Sequence, residues 1–541
     1  MRAMAAADTA SADVPVLIAG AGPAGLVLGL LLDRFGVPSL TVERRASPGA
    51  LPRSRAVNTR TMEVFRWLGV AGEVRDAALG REDAGLPFAF ARTLASLHEP
   101  DALVARSVVT GRRAGHSPVA TVLCPQDVVE EILRRRVPAG RVRHGVRLAG
   151  LEQDGTGVTA RLVDANGLVE QVRCRYVVGC DGAHSAVRRA LGLRLRPGGP
   201  VAENRHVLFE AGLGPLLGDR AAGIVFLHAG GVRGYLQPTA RPDRWTFNRI
   251  LDPGAPGLPD EAVVRAVTGR DDVPVTVLAA RDWTSRSEAA DRMSAGRGFL
   301  AGDAAHLVTP FSGSGLNLGV QDAHNLAWKL AAVLRGRAGP GLLESYDAER
   351  RPVAERHVRE DRAGTAAALA TGSWDRWRVE LPRRRVKDGL VLGVHYESGA
   401  LVPDGTPRPA PPDARTEYVP TARPGHRAPH LPLGPAAARG SLLDLFTTEL
   451  TLLAGPDGGP WATAAARLSA RLGVPVHAYV LGRDPSWIAP SWTALYGITS
   501  GGAVLVRPDG HVAWRDPHAR PREEAAPVLD RAVRTVLCRD G

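Results

Sequence analysis

Hydrophobic and polar positions follow three rhythms along this chain. The first is continuous. Residues 14–32, VPVLIAGAGPAGLVLGLLL, carry no charge over 19 positions, long enough to cross a membrane and placed where a secretion signal would sit. Gly20, Gly22, Pro23 and Gly25 interrupt its centre, and Asp8 and Asp13 precede it without a strongly basic flank. A buried strand, a tight turn and a buried helix account for the same residues better. Strand–turn–helix character returns at residues 175–192 and 298–335. In the last of these, Gly313, Gly315 and Asn317 open a helix whose apolar positions Val320, Ala323, Ala327, Leu330 and Leu334 keep helical spacing.

The second rhythm is alternation. It predicts strands over Val142–Val163 with a turn at Gly155, and over residues 224–250 with turns at Gly230-Gly231 and Arg241-Pro242. The third is a break: nine prolines in the thirty residues from Pro403 to Pro432 predict a linker. Beyond it come an apolar stretch at 441–454, a strand at Val474–Leu481 and a hairpin over Ala503–Arg515 turning at Pro508-Asp509-Gly510. These predict a small C-terminal α/β domain. No internal repeat is visible.

Composition narrows the class. A chain of 541 residues holds two or three domains, and 44% hydrophobic with 23% charged residues is ordinary for a globular protein. The net charge of +12 is carried by arginine, since Lys329 and Lys387 are the only lysines. The arginines are scattered among acids, as where Arg134-Arg135-Arg136 follow Glu130-Glu131. No stripe combines them with aromatics, which argues against a nucleic-acid partner. Cys124, Cys174, Cys180 and Cys538 form neither a CxxC pair nor a metal-ligand spacing, so they read as buried thiols in a reducing compartment. The expectation is a soluble cytoplasmic protein with no metal, no nucleic acid and no membrane partner; a homodimer is left open.

The chemistry starts at Gly20-Ala21-Gly22-Pro23-Ala24-Gly25, directly after the predicted strand. Its glycines permit the tight turn and let a pyrophosphate approach the backbone, while the following helix aims its N-terminal N–H groups at the phosphates. Glu43, ending the next apolar strand (Ser39 to Val42), is positioned to accept hydrogen bonds from an adenosine ribose. Together these predict a dinucleotide site without separating FAD from NAD. Two later motifs separate them: GCDGAHSAVR at 179–188 and GFLAGDAAHLVTPFSGSGLNLG at 298–319.

With those three motifs in order, the chain resembles the class A flavoprotein aromatic hydroxylases, relatives of para-hydroxybenzoate hydroxylase. In pattern it is closest to those that tailor aromatic polyketides. The resemblance covers nearly the whole chain. It implies an α/β architecture: a discontinuous Rossmann-like FAD-binding domain at 1–80, 105–190 and 285–400, and an interleaved β-sheet substrate domain at 81–104 and 191–284. A Pro-rich linker at 401–432 and a thioredoxin-like domain at 433–541 complete it. It also implies that Asp303, with Gly302, binds the ribityl chain, and that Asp181 lies near the pyrophosphate and the NADPH approach. Arg44, Arg53 and Gln126 become candidate FAD contacts, and Pro310, Gly313, Gly315, Leu316 and Asn317 surround the ring. A helix N-terminus there would stabilise negative charge on reduced flavin. Where the family often has Gly-Gly-Gln-Gly-Met-Asn, this chain has Ser312-Gly313-Ser314-Gly315-Leu316-Asn317.

The implied reaction uses NADPH (or NADH) to reduce FAD, and O2 to form a flavin C4a-hydroperoxide that oxygenates an aromatic ring. No residue of the sequence identifies itself as a general base, and neither His306 nor His324 has an evident carboxylate partner. Phe226, Tyr235, Trp245, Phe247 and Phe311 are candidates for the substrate wall. The C-terminal domain lacks a cysteine pair, which excludes dithiol chemistry there. Baeyer–Villiger insertion or oxidative inactivation of an antibiotic would use the same fold. An NAD-dependent dehydrogenase would leave the motifs at Asp181 and Asp303 unexplained, and a flavin-free binding protein would leave the intact glycines and acids without purpose.

Overall fold

The computed structural model describes residues 14–47, 54–79, 86–107, 115–196, 200–218, 223–252, 257–369, 387–434, 440–482 and 491–539, with single residues between them such as Trp374. Arg53 lies outside the described residues.

The first sheet is built on parallel strands. Val14–Ala19 sits between Ser39–Glu43 and Val169–Gly179, flanked in turn by Val142–His144 and Gly298–Leu300. Both faces are covered, which explains why these strands read as unbroken apolar runs. The charge-free stretch at residues 14–32 becomes this central strand and the helix Pro23–Arg34, and among the described residues no helix is long and apolar enough to cross a membrane. The helix Gly315–Leu334 packs against it. The predicted alternating pair becomes Arg147–Gln153 and Val158–Val163, an antiparallel extension of the long strand Val169–Gly179.

The second sheet has seven strands. It is assembled from Leu86–Ala91, Leu103–Ser107 and five strands between Pro200 and Arg286. Its two faces are both apolar but differ in what covers them. One face packs on the helix Asp260–Thr268 through Val207, Phe209, Val225, Leu227, Trp245 and Phe247. The other carries Phe88, Phe90, Phe226, Tyr235 and Ile250, packed with Trp374 and Phe311.

The third sheet joins Leu450–Ala454, Val476–Val480, Ala503–Val506 and Val512–Asp516 in a β-α-β-α-β-β-α order. The first two strands are parallel and the last two antiparallel, with the first strand second in the sheet. That is the thioredoxin-like topology. The proline-rich stretch before it is extended but fixed: Gly425 N donates to Val512 O at 2.8 Å and Ala428 N to Gly510 O at 2.9 Å. One apolar cluster continues from the first sheet into the third.

Buried ions stitch the third unit to the first. Glu63, in the helix Thr59–Trp67, accepts from Arg427 Nε at 2.9 Å and from Arg60 Nη1 at 2.8 Å. Burial alone would raise the Glu63 carboxyl, but Arg427 and Arg60 beside it hold it down to about 2. The buried His324 imidazole is pushed down to about 3, by burial first and then by Arg60. Both groups have folded values below their unfolded ones of about 4.5 and about 6.5. Each therefore contributes stability above its unfolded value that is lost as pH falls toward the folded one. Urea midpoints are expected to decline as pH falls below about 6.5 and again below about 4.5. The first decline is shared with the imidazoles of His357, His395, His426 and His430, which burial also depresses, so His324→Leu should lessen it by a part; an unchanged profile would contradict the buried neutral imidazole.

Candidate active site

Three turns meet above the C-terminal ends of the first sheet's strands. At the first, Gly20 has a φ of +103°, and a Cβ placed on it would lie 2.3 Å from Cys180 O, in the second turn. A Cβ on Gly25 would lie 2.0 Å from Gly20 O, whereas one on Gly22 would meet nothing within 4 Å. Two of the glycines are thus required by the protein's own backbone. The third faces open space at the N-terminus of the helix Pro23–Arg34, where Pro23 pre-sets the first turn and no acid occupies it. That space could hold a pyrophosphate.

Glu43 closes one side. Its Oε2 accepts from Ala21 N at 3.0 Å and its Oε1 from Arg45 N at 3.0 Å, which aims the carboxylate at the glycine turn. In the second turn, Asp181 Oδ2 caps the helix Ala186–Ala190 by accepting from Ala186 N at 2.6 Å and Val187 N at 3.2 Å. Its Oδ1 is buried without a partner among the described residues. A buried carboxylate oxygen is rarely left so, and a ligand hydroxyl would satisfy it.

The third turn is bound to both others. Arg188 Nη1 donates to Ala304 O at 2.8 Å and its Nη2 to Ala183 O at 2.7 Å. A Cβ on Gly302 (φ +63°) would lie 3.2 Å from Ala24 Cβ. Asp303 follows, exposed, its Oδ1 3.9 Å from a Cβ placed on Gly315. Asp322, two turns inside the long helix, accepts from Gly302 N at 3.1 Å, from Arg350 Nε at 2.8 Å and bonds His306 Nε2 at 2.6 Å. His306 therefore does have a carboxylate partner, which its sequence neighbourhood conceals. It is wholly buried, and the pair braces the turn from behind. His324 faces Trp67 at 5.8 Å instead.

Beyond the turns, Asn317 spends its side chain on the protein. Its Nδ2 donates to Ala56 O at 2.8 Å and Gly313 O at 2.9 Å, and its Oδ1 accepts from Asn58 N at 2.8 Å. Its side chain thereby holds the loop Thr309–Gly313 to the segment Ala56–Asn58. Gln126 likewise accepts from Ser54 N at 3.3 Å and donates to Glu130 at 2.8 Å. Arg44 is exposed beside Glu43, Pro310 is exposed and Leu316 half-buried at the helix entrance.

The second sheet faces this loop with its aromatic side. Phe226 stacks on Phe90 at 4.7 Å and meets Trp374 edge-on at 5.0 Å, while Phe311 lies 5.9 Å from Tyr235 and 6.4 Å from Trp374. Two of the expected wall residues do not belong here. Trp245 and Phe247 point to the opposite face, into the core over the helix Asp260–Thr268, where Trp245 Nε1 donates to Ala211 O at 3.1 Å. Their strand is buried on both sides, so its sequence carries no sign of which parity faces the site. Phe88, Phe90 and Trp374 take their place, the last from a part of the chain that gave no pattern to read. Arg55 was also missed. It reaches from the first unit to Pro238 O at 2.9 Å and Thr246 Oγ1 at 2.9 Å in the second sheet, and to Gln237 Oε1.

A glycine turn open at a helix N-terminus, an acid held against that turn and a third turn packed on both could hold a flavin-type dinucleotide. The comparisons agree. Residues 13–361 match the FAD-binding domain family and residues 421–539 the aromatic-ring hydroxylase C-terminal family. A tetracenomycin A2 monooxygenase-dioxygenase of Streptomyces glaucescens is 36% identical, with 97% of each chain covered. The flavin-dependent monooxygenase PieE, solved with FAD and substrate, superposes with a TM-score of 0.87 at 33% identity, over 97% of this chain and 99% of that one. Aklavinone-11 hydroxylase, solved with FAD and aklavinone, gives 0.85 at 34% identity over the same shares. The chain belongs to the FAD-binding aromatic-ring hydroxylases and is an FAD-dependent monooxygenase.

Proposed function

We propose that this monooxygenase hydroxylates a fused-ring phenolic or quinone compound of the aromatic polyketide type, using O2 and NADPH (or NADH) in the cytoplasm. The observation that carries this reading is the aromatic cluster of Phe88, Phe90, Phe226, Tyr235, Phe311 and Trp374, an apolar layer several rings wide that includes Phe311 of the loop after Asp303. The names of the relatives, tetracenomycin and aklavinone enzymes, support it.

In this reading the N-terminus of the helix Pro23–Arg34 and the space over Gly22 hold the pyrophosphate, Glu43 the ribose, and Asp303 the ribityl hydroxyls. Asp181 Oδ1 receives a hydroxyl donor. Gly313, Gly315 and the first N–H groups of the helix Gly315–Leu334 face the ring's polar edge. Bound there, FAD supplies the electron storage and oxygen activation that amino-acid side chains lack. The chain's own residues orient the substrate plane, exclude water through the aromatic wall, and hold the loop Thr309–Gly313 through Asn317 and Asp361. Asp361 accepts from Thr309 N and Thr309 Oγ1, both at 2.7 Å.

Asp303→Ala is expected to lower FAD affinity by about 10- to 100-fold, from the loss of a charge-assisted hydrogen bond. Equilibrium dialysis of the apoprotein measures this, and full occupancy at wild-type affinity would contradict the role. The reaction itself is tested by incubating the chain with NADPH and hydroxylated anthraquinones. A product heavier by one oxygen is expected, with NMR placing it on a ring carbon; an oxygen inserted between ring atoms would instead establish Baeyer–Villiger chemistry.

A further inference from the structure

The third unit lacks a cysteine pair and supplies none of the three turns, yet it is tied to the turn that carries Asp303. The tie is a run of buried contacts. Gly302 N donates to Asp322 Oδ2 at 3.1 Å, and Asp322 Oδ1 accepts from Arg350 Nε at 2.8 Å. Arg350, on the helix Glu344–Leu369, donates from Nη1 to the Tyr396 hydroxyl at 3.1 Å. The Tyr396 ring packs on the His511 imidazole with centroids 4.2 Å apart. His511 lies in the turn between the strands Ala503–Val506 and Val512–Asp516 of the third sheet. The backbone closes the same contact: Tyr396 N donates to Gly425 O and Gly425 N to Val512 O, both at 2.8 Å. A Cβ on Gly425 would lie 2.3 Å from Tyr396 O, so only glycine lets these segments approach so closely.

Water has no access to these bonds. Asp322 is 0% exposed, Arg350 1% and Tyr396 4%, so a bond lost there is not replaced by one to solvent. Burial by itself would raise the Asp322 carboxyl, but His306 and Arg350 hold it below the usual carboxylate range. It stays ionised, and a shift of Arg350 would leave its charge underpaired directly behind the turn. Arg350 Nη2 also reaches Leu318 O at 3.4 Å, near the start of the helix Gly315–Leu334. One guanidinium thus touches the brace of the turn and the cofactor helix, and on its far side it is fixed by Tyr396.

Resting on the placement of FAD over these turns, we propose that Asp322, Arg350 and Tyr396 are positioning residues through which the docked third unit sets the turn at Gly302 and Asp303, so that docking and FAD binding strengthen each other. The third unit then serves this enzyme by keeping the cofactor turn in its binding shape. Reciprocity separates such coupling from mere contact: whatever factor docking adds to FAD affinity, FAD must add to docking.

Two buried tyrosines give a matched pair. Tyr396→Phe removes the hydroxyl that Arg350 uses, whereas Tyr496→Phe removes one that donates to Pro429 O at 2.7 Å and bonds nothing in the run. Equilibrium dialysis of the full-length apoproteins should show FAD affinity about 3- to 10-fold weaker in Tyr396→Phe, the worth of one hydrogen bond, and unchanged in Tyr496→Phe. Hydrogen exchange read by mass spectrometry follows the other direction. FAD should slow exchange in the joint peptides around residues 425–428 and 510–512 of the wild type, whose N–H groups bridge the linker and the third sheet. In Tyr396→Phe that slowing should shrink by the same factor as the affinity. The coupling is refuted if the wild-type joint exchanges alike with and without FAD, a comparison that decides even if Tyr396→Phe does not fold. It is refuted too if Tyr396→Phe binds FAD like the wild type, or if Tyr496→Phe is weakened as much. In each case an Asp303→Ala chain with weakened FAD binding leaves the flavin placement standing; if Asp303→Ala also binds FAD as the wild type does, the placement fails and the coupling with it.

Discussion

Glu349→Ala is expected to destabilise the chain by about 3–5 kcal/mol, the range for removing one partner of a buried ion pair. Glu349 is wholly buried on the helix Glu344–Leu369 and serves five donors. Its Oε2 accepts from Lys329 Nζ at 2.8 Å, Asn325 Nδ2 at 2.7 Å and Arg507 Nη2 at 2.8 Å, and its Oε1 from Arg507 Nη1 at 2.6 Å and Ser398 Oγ at 2.7 Å. Burial by itself would raise its carboxyl, but Arg507 and Lys329 hold it well below the usual carboxylate range. Without it, Asp509 alone faces two buried cations. Lys329, which burial already pushes down to about 8, would then shed its proton. Arg507 comes from the third sheet and Lys329 from the cofactor helix, so the loss strikes the joint between them. Urea unfolding followed by tryptophan fluorescence should show the transition of Glu349→Ala displaced far below the wild type, with Glu349→Gln between. A displacement worth less than about 1 kcal/mol would mean that the network is a solvated contact and not a buried joint.

The second large effect separates folding from binding. Gly22→Val places its Cβ where nothing but its chain neighbours lies within 4 Å, at an extended φ of −75° that a branched residue tolerates. The apoprotein should unfold at the wild-type urea concentration. FAD affinity should nevertheless fall by about 100-fold or more, the equivalent of two charge-assisted hydrogen bonds at the pyrophosphate. Gly25→Val behaves differently, because its side chain overlaps Gly20 O and damages the fold directly. If Gly22→Val binds FAD as the wild type does, the phosphates do not lie over this turn.

What could be read from the sequence was local. The strand–turn–helix units at Gly20, Asp181 and Asp303 were legible because a parallel strand buried on both faces is continuously apolar and its turn demands glycine. The hairpins at Gly230-Gly231 and Pro508-Asp509-Gly510 were legible for the same reason: turn chemistry is encoded within a few residues. What was not legible depends on tertiary parity or distance. Trp245 and Phe247 differ from Thr246 and Asn248 only in which side of a doubly buried strand they take. Asp322 is sixteen positions from His306 and sits in a helix that announces only its apolar stripe. Arg55 looked like one arginine among many until three acceptors from another sheet closed around it. The proline-rich stretch reads as a tether, yet its N–H groups between prolines find acceptors in the third sheet.

Flavin chemistry on this chain requires that three separated turns embrace one flavin. The most direct test is to purify the chain, saturate it with FAD, remove the excess and measure bound flavin by its visible absorption against protein. One FAD per chain is expected, lost in parallel by Gly22→Val and Asp303→Ala while both remain folded by circular dichroism. A wild-type chain that stays colourless after incubation with FAD, or whose flavin is indifferent to both substitutions, would contradict it.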